Sequence, residues 1–175
     1  MSNINNNNNN NSNNNLAGLN FFNPSRCMTP RSPFREVLLA SNTGSAGPFP
    51  IITTFLSDPV NVVSTCINTT GLNRSTNLLI FTCQINLPLG ISVNLNFEII
   101  RMINGRNPAK IGPTFTFSTL AVALESEAFA FQFADFNAEE GNYTYTIQIS
   151  TNSILDITPG LTVNNGTLSI IAVRN

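Results

Sequence analysis

The sequence predicts an all-β chain: a single β-sandwich of jelly-roll type with an extended N-terminal connector arm. Three observations carry that prediction. Apolar and polar residues alternate over several strand-length runs, which is the period of a strand with one buried face. Gly, Pro and Asn punctuate the chain between those runs and supply turns. No stretch carries a convincing helical pattern, and short strands at this spacing build two-sheet sandwiches or jelly rolls.

In chain order, residues 1–15 (MSNINNNNNNNSNNN) form a low-complexity Asn-rich tail. Such a tract has no apolar area to offset its ordering entropy, so it is expected to stay disordered by itself. Residues 16–49 read as a connector arm in which Pro24, Pro30, Pro33 and Pro48 favour extended chain over helix. Two apolar islands lie within it. The first holds Leu16, Leu19, Phe21 and Phe22, the second Phe34, Val37, Leu38 and Leu39. No Lys or Arg precedes Arg26 and the first island is short, so the front of the chain does not read as a secretion signal.

Residues 50–175 read as the sandwich. Strands are expected over 60–67, over 77–85 (NLLIFTCQI) and over 91–103, where Ile91, Val93, Leu95, Phe97 and Ile99 share one face. EAFAFQFADF sets Phe129, Phe131 and Phe133 against Ala128, Ala130 and Gln132, and NYTYTIQIS alternates Tyr143, Tyr145, Ile147 and Ile149 with polar residues. LTVNNGTLSIIAV reads as a hairpin turning at Asn164-Asn165-Gly166. Turns are expected at Thr70-Gly71, Asn104-Gly105 and Glu140-Gly141.

The composition excludes several functions. The chain has no His, which removes the usual general base and the commonest metal ligand, so neither an enzyme nor a cofactor is expected. Glu125 and Glu127 share a strand face, but no sugar-stacking Trp accompanies them, and charges that discourage unwanted strand pairing explain them better. A net charge of −1 offers no basic patch for nucleic acid. No apolar run approaches the ~20 residues of a membrane-spanning helix. Charged residues are only 10% of the chain against roughly 25% in an average domain, so Asn, Thr and Ser must build the polar surface. Low charge of this kind suits extracellular β proteins and subunits that bury much of their surface in an assembly.

The cysteines are Cys27, Cys66 and Cys83. Cys27, in the arm, is open to an intermolecular disulfide. Cys66 and Cys83 lie on neighbouring strands and either bridge each other or act as small buried hydrophobes. Gly141 and Tyr143 in EEGNYTYTIQIS suggest a tyrosine corner, in which a Tyr hydroxyl ties a loop to the sheet. Asn-x-Ser/Thr triplets at Asn68, Asn73, Asn142 and Asn165 follow from the composition and carry little weight. The arm has two uses open to it: an extended, apolar-bearing segment can add as a strand to a neighbouring subunit, head to tail, or it is a disordered tail with a first strand that folds back on its own domain.

A low-charge, His-free, Thr/Asn-rich sandwich with an N-terminal connector, the stretch EEGNYTYTIQIS and the ending GTLSIIAVRN resembles the surface proteins of bacterial endospores. These are the fibre subunits of endospore appendages and the jelly-roll proteins of the exosporium. The resemblance implies a self-assembling structural subunit on the spore surface, a homopolymer with an anchor and a tip protein as further partners. Appendage subunits carry more cysteine in the connector than Cys27 alone, which favours non-covalent strand insertion here. Two other readings suit the same architecture: a trimeric adhesin or carbohydrate-binding head, and a viral or phage jelly-roll structural protein.

Overall fold

The computed structural model describes residues 37–49, 59–88, 91–121, 124–151 and 160–175. Eight strands are present among them: β1 (Val37–Ala46), β2 (Val60–Asn68), β3 (Arg74–Leu87), β4 (Ile91–Ile103), β5 (Arg106–Ala121), β6 (Glu125–Glu139), β7 (Asn142–Ser150) and β8 (Thr162–Arg174). They form two four-stranded antiparallel sheets. Sheet I has the order β1-β8-β3-β6 and sheet II the order β2-β7-β4-β5. Only β4 and β5 are both consecutive and paired, so nearly every connection crosses between the sheets. This is the eight-stranded jelly roll.

The alternation expected from sequence sets the core. Val93, Leu95, Phe97 and Ile99 of β4 and Tyr143, Tyr145, Ile147 and Ile149 of β7 are buried from sheet II. Leu79, Phe81, Ile85, Leu168 and Ile170 meet them from sheet I. Phenylalanines close the side where β5 and β6 run past each other. Phe115 stacks on Phe131 at 4.0 Å, and Phe129 lies 4.8 Å from Phe97. The ring of Phe133 occupies the space beside Gly112, where a Cβ would stand 2.6 Å from a ring carbon.

Three expectations are corrected. The sandwich begins earlier than residue 50: Val37, Leu38 and Leu39 lie in β1, paired with Val173, Ala172 and Ile171 of the same chain. They belong to the sandwich's own edge strand and not to a free arm. The segment 161–173 is no hairpin. It is one continuous strand with a register shift between Thr82 and Gln84 of its neighbour, and Asn165 takes a left-handed φ of 52° within it. A bulge absorbs the turn-type residues because both flanks of the segment find partners in β3. The third correction is β5, which sequence reading left out.

The β1/β2 side is sealed by small residues. Gly44 and Gly166 are register partners, and a Cβ on Gly44 would stand 2.1 Å from the Val62 carbonyl oxygen. Asn42 Nδ2 donates to the Ser64 carbonyl at 2.7 Å across the same corner.

Candidate interaction surfaces

At one end of the sandwich a polar network joins the sheets. Asp135 of β6 receives both contacts of Arg101 Nη1, at 2.9 and 3.0 Å, and the Tyr145 hydroxyl at 2.8 Å. Asn77 Nδ2 donates to the same hydroxyl at 2.8 Å, and Ser75 Oγ donates to Asn77 Oδ1 at 2.9 Å. Ser75, Asn77, Tyr145 and Asp135 are all buried. Buried polar groups persist when each finds a partner, as these do. Burial pushes the Tyr145 phenol well above its ordinary value. Burial alone would lower the Arg101 guanidinium, but the hydrogen bond and charge of Asp135 outweigh it and raise it. The Tyr143 hydroxyl donates to the Glu139 carbonyl at 2.8 Å. That is the tyrosine corner expected from Gly141 and Tyr143.

The network's chemistry is structural: the carboxylate and the guanidinium neutralise each other. Beside it a shallow depression of about 320 Å³ is lined by Arg101, Asn104, Asn137, Glu139, Glu140 and Tyr143 among others. Among the described residues no group of three or more His, Cys, Asp or Glu side chains could hold a metal ion. No helix among them is long and apolar enough to cross a membrane.

The two outer faces differ in chemistry. The outer face of sheet II is mostly a lattice of hydroxyls and amides. Ser64 pairs with Thr146 at 2.8 Å, Gln148 with Asn61 at 2.8 Å, Thr116 with Asn96 at 3.0 Å, and Ser118 with Asn94. Lys110 bridges Glu98 and Thr114 at 2.6 Å each. The outer face of sheet I is apolar over half its length. Leu39, Ile171, Leu78 and Ala134 stand in register across all four strands, with Val37 and Val173 beside them. Leu39 is 72% exposed, Val37 54% and Phe136, at the β6 end, 69%. The other half of this face is polar, with Asn86 joining Ser126 and Thr162 at 2.6 and 3.0 Å.

The cysteines separate. Cys66, on the outer face of sheet II, is exposed, and its Sγ lies 3.3 Å from Thr144 Oγ1. Cys83, inside sheet I, is buried, and burial pushes its thiol up to about 12. Both thiols are free. Of the two alternatives, the Cys66–Cys83 bridge does not form, because the two lie on opposite sheets and Cys66 points outward. The reading as a buried hydrophobe holds for Cys83 and not for Cys66. Glu127, whose Oε1 accepts from Thr119 at 2.9 Å, shares its strand face with Glu125 as expected. Leu16, Leu19, Phe21, Phe22, Cys27 and Phe34 lie outside the described residues. Sequence reading missed the outer face of sheet I, although a signal was present. The continuous apolar runs LLI in β3 and II in β8 mark strands with apolar residues on both faces.

No family model and no curated protein matches the chain. Solved structures match it at low identity. A structure of infectious bursal disease virus, Gx strain, matches at 10% identity and TM-score 0.43, over 79% of this chain and 33% of the viral one. The chain thus spans about a third of that protein's length. The CBM36-1 domain of a multidomain xylanase, from the hindgut metagenome of Trinervitermes trinervoides, matches at 12% identity and TM-score 0.32. That match covers 77% of this chain and 95% of the domain.

Proposed function

We propose that this chain is a structural subunit whose work is to assemble with further copies of itself. One observation carries the reading: the apolar row Leu39–Ile171–Leu78–Ala134 on the outside of a sheet whose inside already forms the core. Monomeric domains rarely leave a contiguous apolar patch of large size to water, and such patches mark sites of association. Opposite it stands the lattice of sheet II, with its polar groups already paired to one another. No aromatic side chain from the described residues of that lattice offers a stacking platform, so sugar binding has the weaker support.

The endospore resemblance supports the finer form of the proposal, a head-to-tail fibre on a spore surface. In it the segment ahead of β1, with Leu16, Leu19, Phe21 and Phe22, adds as a strand to the next subunit. The donor cannot include Val37, Leu38 and Leu39 while these fill β1. The test is negative-stain microscopy and sedimentation of three proteins: the full chain, a truncation lacking residues 1–34, and full-length Leu39→Asp. Polymers from the full chain, lost in the truncation, support the strand-donor form. Polymers weakened by Leu39→Asp support assembly through sheet I. A full chain that stays monomeric at every concentration ends the proposal.

A further inference from the structure

The sandwich has four strand edges, and three of them are protected. β1 and β2 seal each other through Gly44 and the bond from Asn42 to the Ser64 carbonyl. β5 carries Pro108, Lys110 and Pro113, with Gly112 and Asn107 in left-handed conformation and register shifts against β4. Prolines, lysines and bulges are the usual means of keeping an edge from pairing with another chain. β6 has no proline and no lysine, and its bulge, where Asn137 is left-handed and the register against β3 shifts, lies past Asp135. Among the described residues it pairs only with β3, over Glu125–Glu139, and Ala128–Ala134 (AFAFQFA) contains no charge, no Pro and no Gly. An uncharged seven-residue strand of this kind on an open edge is a template for strand addition.

We infer that the free edge of β6 pairs antiparallel with β6 of a second copy, joining two sheets of type I into one continuous sheet. The sequence is self-complementary for this purpose. About a two-fold axis at Phe131, Phe129 faces the second copy's Phe133, Ala128 faces its Ala134, and Ala130 faces its Gln132. The half-buried rings of Phe129, Phe131 and Phe133 point to one face, so pairing brings two phenylalanine rows together and covers them. The charges agree. Glu127 meets the second copy's Asp135, which is already held by Arg101, and so faces an ion pair and not a bare carboxylate. An interface of this type uses the same patch on both copies and closes after two. It rests on the assembly reading only in that copies associate. It uses a different surface from the outer face of sheet I and needs no donor from the N-terminal segment.

The test uses the full chain and its equilibrium dimerisation, measured by sedimentation at dilute concentration. In Ala128→Lys/Ala134→Lys, lysines oppose each other at both ends of the seam, and dimerisation should weaken about tenfold. In Ala128→Lys/Ala134→Glu each lysine faces a glutamate, and dimerisation should recover. Circular dichroism of both variants checks that the sandwich is intact. Loss in the first variant with recovery in the second establishes the register. Dimerisation unchanged in the first variant overturns the inference, as does loss in both. Dissociation by removal of residues 1–34 alone also overturns it and gives the edge to the N-terminal segment. Leu39→Asp separates this result from the broader proposal, because it should weaken larger assemblies and leave the pair through β6 intact.

Discussion

The outer faces of sheets I and II are built on the same pleat, yet one is half apolar and the other mostly polar, with Ile100 and Met102 of β4 as apolar exceptions. On sheet II outward polar side chains reach their neighbours: Ser64 to Thr146, Asn61 to Gln148, Thr116 to Asn96. On sheet I, Leu39, Ile171 and Leu78 follow one another across the strands with nothing polar between them. A strand with one wet face alternates, and a strand buried on both faces reads as a continuous apolar run. β7 and much of β4 are of the first kind; the middle of β3 and the end of β8 approach the second. The sequences of β3 and β8 therefore put apolar residues on both faces of sheet I.

The comparison breaks altogether if the sheets separate, and the largest effect is expected there. Asp135→Ala strips Arg101 and Tyr145 of their shared acceptor and should cost about 3 kcal/mol, read by urea unfolding. A loss under about 1 kcal/mol would mean that water replaces the carboxylate. Next comes the contrast between the faces. Leu39→Asp should raise the concentration needed for assembly about tenfold, whereas Ser64→Asp on the polar lattice should leave it unchanged. Equal effects would erase the distinction between the sheets.

A pH series sharpens the interior side of the comparison. Cys83 titrates at 9.0 as an ordinary thiol and is pushed to about 12 by burial, while Tyr143 and Tyr145 are also raised by burial. The unfolded chain then releases these protons at lower pH than the folded one. Their contribution is whole below about pH 9 and is lost as pH rises toward 12. The melting temperature should therefore fall across that window, and in Cys83→Val the fall should start later. The smallest effect is expected at Cys66→Ser, whose hydroxyl keeps the contact with Thr144; stability should move by less than about 0.5 kcal/mol.

Much of the sandwich was legible because its strands obey period two. The alternation alone places Val93 to Ile99 and Tyr143 to Ile149 on the inner faces they occupy, and the Gly141–Tyr143 spacing marks the corner. The misses have physical causes. β5 carries Pro108, Gly112 and Pro113, which argue against a strand unless it lies at an edge with bulges, and sequence shows neither. β1 reads as part of the arm because its partner β8 lies at the other end of the chain, and no local pattern reports so distant a pairing. The network of Arg101, Asp135, Tyr145 and Asn77 draws on four strands from both sheets, so its members look like isolated polar residues until the topology gathers them.

The asparagines of the turns and bulges have a consequence for the denatured chain. Asn73, Asn104, Asn107, Asn137 and Asn165 all hold a left-handed backbone, the conformation usually left to glycine. Asparagine tolerates it through its short polar side chain and, unlike glycine, leaves the unfolded polymer fewer conformations to lose. Each such position lowers the entropy released on melting by a fraction of what a glycine would add. A protein that makes its tight corners from asparagine is stiffer before it folds.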